Sequence, residues 1–174
     1  MTEEERNKIY AAYGKSVIWN NSAEYILEQF LAYELSKIRN TSPIDELADM
    51  KRRGPEFGGK MKIFRDDLRS KNPDVRLQTI YEAFDKVNES RNHLAHVASA
   101  EAGELDNAKI FQPTGFMLME WKKKSGAVVP QQPLTEKLLS DITETAAFAI
   151  ALIQEYWVPA EYRPTSPHTI KTDA

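Results

Sequence analysis

The segment Arg91-Asn92-His93-Leu94-Ala95-His96 sets an arginine five residues before a histidine. Histidine titrates near neutral pH and can take the proton of a ribose 2′-hydroxyl. Arginine can grip two phosphate oxygens and offset the charge that builds on a pentacovalent phosphorane. With the substrate's own 2′-hydroxyl as nucleophile, this pairing needs no metal. Asn92 lies four residues before His96 and shares its helical face, where it can orient the imidazole or meet a phosphate.

The pattern around this segment is a buried helix. Leu77, Ile80, Phe84, Val87, Arg91, Leu94 and Ala98 recur at steps of three and four, and Arg91 is the charged member of that apolar stripe. A guanidinium there needs a carboxylate or an anionic ligand, because leaving it unpaired costs several kcal/mol or more. His96 falls about 140° further around an ideal helix. The two side chains meet one ligand only if the helix frays near Ala95 or a second copy or another helix completes the site. The plainer reading is a core arginine paired to the first helix and a histidine held near a helix C-terminus, where the dipole favours its cation.

The rest of the chain reads as elements that can position such a site. A first helix is expected over 2–39, with two apolar lines: Trp19, Ala23, Ile26, Phe30, Tyr33 and Val17, Leu27, Leu31, Leu35. Gly14 marks a kink or the true start of its main part. Ser42 or Asp45 can cap a short helix over 44–52, followed by a Gly- and Pro-rich loop to Gly59. A second helix is expected over 60–70. Asn72-Pro73-Asp74 is a start signal for the third, with Asn72 as cap and Pro73 at the first position, running to about Ser99. Between Ala108 and Val129 short, bulky apolar stretches flank Pro113-Thr114-Gly115, which predicts a turn within a small β-hairpin or extended insert. A last helix is expected over 135–157, and Pro159 ends it. The sum is an all-α chain: an antiparallel bundle of about four main helices with a short hairpin or extended insert before the last. It forms one domain over 1–160, with a C-terminal tail over 161–174 expected to be mobile.

Other chemical signals are weaker. Gly54-Pro55-Glu56-Phe57-Gly58-Gly59-Lys60-Met61 nearly matches a phosphate-binding loop, but Met61 stands where a Ser or Thr would bind magnesium, and the preceding segment is not strand-like. His93 and His96 are spaced for two metal ligands but lack a convincing third, so no metal site is expected. Lys122 and Lys123, beside Trp121, can contact phosphates while the indole stacks on a base, although a charge run usually lies in water. Lys51-Arg52-Arg53 has the same status, and Asp66-Asp67 reads as a solvated helix face.

Composition sets the outer bounds. The chain has 174 residues, 41% of them hydrophobic, enough for one ordinary core. A net charge of -3 gives no global pull toward nucleic acid, so an RNA site must be a local patch or a cleft between copies. The absence of cysteine excludes disulfides and thiolate zinc sites. A Glu-rich start without an apolar core, and a longest apolar run of only Ala146–Ile153, lead us to expect a cytoplasmic protein without membrane spans.

Arg91, Asn92 and His96, late in the third helix of a small helical chain, resemble the motif of the HEPN superfamily (higher eukaryotes and prokaryotes nucleotide-binding domain). That motif is an arginine, often followed by a polar residue, with a histidine after a short gap; here the gap is four residues. The likeness in architecture covers roughly 17–157. Trp19, Asn20, Asn21 and Glu24 also resemble the family's opening helix, which presents a polar or acidic residue to the motif. Glu24 is therefore the candidate partner of Arg91, and His93 a further supporting residue. The resemblance implies a metal-independent endoribonuclease without cofactor that binds RNA and forms a homodimer, of the kind found in toxin–antitoxin and phage-defence systems. The implied partner is then an antitoxin or a nucleotidyltransferase. It equally admits a member that has lost activity and serves as a dimerising, nucleotide-binding or partner-binding module. The acidic balance departs from what a long RNA ligand would ask.

Overall fold

The computed structural model describes residues 1–105, 111–122 and 127–157, with side chains except at 93, 95–105, 111–115, 117–122 and 127–132. The expected tail over 161–174 lies outside the described residues. The described residues are mostly helical, with five α-helices among them.

Helix α1 spans Glu3–Arg39. Thr2 and Glu5 close a capping box at its start, and Asn40 ends it in the left-handed conformation with φ 56°. It runs unbroken through Gly14, so the break expected there does not occur. Its buried line is Ser16, Asn20, Ala23, Leu27, Phe30, Leu31 and Leu35. This takes members from both apolar lines of the sequence and leaves Tyr33 exposed.

Helix α2 (Pro43–Arg53) is capped by Ser42, which accepts the Asp45 N–H at 3.1 Å. Arg39 at the end of α1 bonds Glu46 on α2 at 2.6 Å and Asp67 at 2.8 Å, tying three elements together. Helix α3 (Phe57–Ile63) begins three residues before the expected start at Lys60 and passes directly into a π-helical stretch, Phe64–Arg69. Asp67 also pairs with Arg53 at 2.8 Å, so this carboxylate belongs to an ion network and not to a free solvated face. Gly54 and Gly59 explain themselves by contact: a Cβ on Gly59 would lie 2.5 Å from Gly54 Cα. These glycines let two backbones touch, a structural task distinct from cradling phosphate.

Helix α4 spans Val75–His96. It starts two residues later than expected: Asn72 accepts the Asp74 amide only at 3.3 Å, and Asp74 in turn accepts the Arg76 amide at 2.9 Å. It also stops three residues short of Ser99. From Val97 the backbone pairs with a later segment, and those hydrogen bonds replace the helical ones. The paired strands are β1 (Val97–Leu105), β2 (Phe111–Lys122) and β3 (Ala127–Pro133), antiparallel in the order β1-β2-β3. Pro113-Thr114-Gly115 lies inside β2 beside a bulge at Ala102/Gly103, not in a turn. Helix α5 (Glu136–Trp157) follows, with Thr135 Oγ1 accepting the Leu138 N–H at 3.1 Å.

Two apolar clusters hold these parts together. The larger joins Leu27, Phe30, Leu35, Phe57, Phe64, Leu77, Phe84 and Ile153, with Phe30 edge-on to Phe64 at 5.9 Å. Each such side chain contributes about 1.5–3 kcal/mol when fully buried. The smaller joins Leu94, Phe116, Leu134, Leu139 and Ile142, packed against Ile9 and Tyr13 near the start of α1. Leu77, Ile80, Phe84, Val87 and Leu94 are all buried, so α4 presents the expected stripe, with Arg91 inside it.

Candidate active site

The stripe on α4 carries Arg91 to the edge of the larger core, between Val87 and Leu94. There its guanidinium meets α1: Nη2 lies 3.0 Å from Oε2 of Glu24. Glu24 reaches this point because it adjoins Ala23 and precedes Leu27 by three, both fully buried. The other oxygen of the same carboxylate accepts from Lys60 Nζ at 2.7 Å. Lys60 also faces Glu28 at 3.8 Å, one turn further along α1. The Phe57 ring lies under the guanidinium, 5.8 Å from Cζ. Arg91, Lys60, Glu24 and Glu28 thus form a charge-balanced group drawn from α1, α3 and α4.

Exposure is graded across the group. Lys60 is 6% exposed, Glu24 16% and Arg91 31%. The lysine is sealed in, while the Arg91 side chain keeps a solvent-facing part. Such a group must stay complete, since removing one partner of a buried pair costs about 3–5 kcal/mol, less for a partly exposed one.

Lys60 escaped the sequence reading. The signal was the one that marked Arg91: Lys60 occupies an apolar line, with Phe57 three residues before it and Phe64 four after. The near match to a phosphate-binding loop drew attention to the glycines instead.

The other motif residues are placed as follows. Asn92 is exposed on α4. His93 and His96 lie on α4, with His96 its last residue, and their imidazoles lie outside the described side chains. The helix does not fray at Ala95, so the backbone keeps positions 91 and 96 about 140° apart around its axis. One chain's α4 alone does not turn the two toward a common point. Glu120 pairs with Val97, which puts Trp121 and Lys122 at the level where α4 ends. Their side chains, and all of Lys123, lie outside the described residues.

Elsewhere, Arg52 and Arg53 both pair with Asp49, at 2.7 and 3.1 Å, and the two guanidiniums hold that carboxyl below its usual range. This part of the basic run is spent on internal pairing. Among the described residues no group of three or more His, Asp or Glu is arranged to hold a metal ion, and no helix is long and apolar enough to cross a membrane. No protein-family model, curated protein or solved structure matches the chain.

Proposed function

We propose that this chain is a HEPN-like endoribonuclease working as a homodimer, built as an antiparallel helical bundle with a hairpin-like insert before the last helix. The observation that carries the reading is Arg91: a charged residue in a buried stripe, paired with Glu24 on another helix, yet with part of its side chain in solvent. Oriented, partly desolvated arginines recognise phosphate well, because the planar fork matches two oxygens and little rotamer freedom is left to lose.

In this reading His96 removes the proton of a ribose 2′-hydroxyl. The O2′–P bond forms, the P–O5′ bond breaks, and the proton passes to the leaving O5′. The products are a 2′,3′-cyclic phosphate and a 5′-hydroxyl. Arg91 offsets the charge on the phosphorane, Asn92 orients His96 or binds a phosphate oxygen, and His93 supports the motif. Trp121, Lys122 and Lys123 would hold flanking RNA. The fixed angle between positions 91 and 96 supports a second copy, whose motif would face the same cleft. A toxin or defence role, with an antitoxin or nucleotidyltransferase as partner, follows from the resemblance alone.

One observation favours a second reading, a non-catalytic dimerising or ligand-binding module. Glu24 already balances Arg91, so the arginine has no unmet demand for an anion. The two readings separate in one assay: RNA incubated in EDTA with the wild type, Arg91→Ala and His96→Ala. The ribonuclease reading requires cleavage to cyclic-phosphate ends by the wild type and at least a ~100-fold loss in each variant, the scale of removing a general base or a charge-stabilising donor. Equal cleavage by all three overturns the site. No cleavage by any, with dimerisation or ligand binding kept, supports the module.

A further inference from the structure

We propose that Lys60 is a positioning residue of this site: it holds one oxygen of Glu24 so that the other fixes Arg91 with an edge of its guanidinium left open to a substrate phosphate. The inference rests on the ribonuclease reading for its consequence, but its geometric core stands on distances alone.

A carboxylate facing an isolated arginine tends to take the guanidinium in a two-point grip, oxygen to each N–H, which is the strongest geometry open to it. Here the two oxygens of Glu24 face two different cations. Its Oε1 lies 2.7 Å from Lys60 Nζ and its Oε2 lies 3.0 Å from Arg91 Nη2. The lysine holds one oxygen, and the closest approach of the carboxylate to Arg91 is through the other. Lys60 is itself fixed: it is buried, it opens the second half of α3, and the contact of Gly54 with Gly59 sets the backbone just before it. Glu28, 3.8 Å from the ammonium, balances the second positive charge and prevents Lys60 from repelling Arg91. Without Lys60, Glu24 is free to swing onto Arg91 with both oxygens. It would then compete with phosphate for the same N–H groups and add an uncompensated negative charge beside the ligand. A misplacement of about 1 Å costs on the order of 100-fold in rate when it moves a group acting in the transition state.

The test uses the full chain and four variants: Lys60→Met, Lys60→Arg, Lys60→Met with Glu28→Gln, and Glu24→Gln. The paired variant keeps the buried charges balanced, so it folds if Lys60→Met does not. The first readout needs no activity: the side-chain N–H resonances of Arg91. We expect the Arg91 signals to move in Lys60→Met and in the paired variant, to move differently in Glu24→Gln, and to stay near wild type in Lys60→Arg. The second is cleavage of a fluorescently tagged RNA oligonucleotide. In both variants lacking the lysine we expect kcat to fall about 10- to 100-fold with KM changed less than about threefold, the signature of a lost transition-state contact. We expect Lys60→Arg to recover most of that loss. Unchanged Arg91 resonances in the folded Lys60→Met or paired variant overturn the proposal, even if wild-type cleavage upholds the ribonuclease reading. Rescue failing in Lys60→Arg, with its Arg91 signals at wild-type positions, also overturns it. If the resonances move as expected but the wild type cleaves no RNA, the positioning by Lys60 stands and the ribonuclease reading falls.

Discussion

Oε2 of Glu24 lies 3.0 Å from Nη2 of Arg91, joining the first helix to the charged position in the buried stripe of the fourth. The contact does two things at once. It supplies the counter-charge for a guanidinium that the core would otherwise exclude, and it ties that guanidinium to the first helix. Stability and any phosphate chemistry at Arg91 are therefore coupled through one carboxylate.

That coupling is measurable. Glu24→Gln leaves Arg91 and Lys60 without their shared counter-charge, and should destabilise the fold by about 2–3 kcal/mol, below the fully buried range because Arg91 is partly hydrated. Arg91→Met costs less, since its stem is replaced by packing and Lys60 still balances Glu24. Denaturant titration of both single variants and the double variant should give a coupling of at least about 1 kcal/mol. A coupling near zero would mean that the pair is not formed in solution.

The two adjacent glycines of α3 should respond with opposite signs. A Cβ on Gly59 meets Gly54 Cα at 2.5 Å, so Gly59→Ala must push two backbones apart, at about 1–3 kcal/mol. A Cβ on Gly58 meets nothing within 4 Å, so Gly58→Ala should stabilise by up to about 1 kcal/mol through the unfolded chain's lost freedom. Thermal melts of the two variants settle the contrast, and a tolerated Gly59→Ala would show that α2 and α3 do not approach this closely.

Much of this arrangement was written in local pattern. The stripe on α4 and the anomaly of Arg91 within it are visible because helical period is short-range and each buried position is apolar on its own account. Glu24 as the arginine's partner was reachable by likeness of the opening helix, not by spacing, since no local rule links residues 67 apart. Lys60 was hidden because its partners, Glu24 and Glu28, lie on another helix. The early end of α4 was hidden for a related reason: residues 97–99 continue a helical pattern, and only pairing with Glu120, Met119 and Leu118 makes them a strand. The helix start at Val75 was missed because Asp74 and Asn72 are both competent caps, and the salt bridge from Arg76 to Asp74 decides between them.

Acid should weaken the α2 region first. Hydrogen bonds from Arg52 and then Arg53 hold the Asp49 carboxyl below its ordinary 3.8. A folded-state value below the unfolded one means that the pairing stabilises above pH 3.8 and is lost as pH falls through the folded value. The effect is modest because the arginines are largely exposed. Stability measured by urea at stepped pH should fall below about pH 4, with a shallower fall in Asp49→Asn. An identical slope in that variant would show that Asp49 carries none of the acid response.

Asn20 offers the opposite kind of test, a polar group whose removal should help the fold. It is 2% exposed on the buried line of α1, one turn before Glu24. Its Nδ2 donates to the Ser16 carbonyl at 2.8 Å, but its Oδ1 has no hydrogen-bond partner among the described residues. A buried acceptor left unpaired costs about 1–3 kcal/mol, while the donated bond is to a carbonyl that the helix already uses. Asn20→Leu keeps a similar volume and removes the unmet acceptor. It should raise Tm by about 2–6 °C for a chain of this length. A lowered Tm would mean that Oδ1 is hydrogen-bonded in solution.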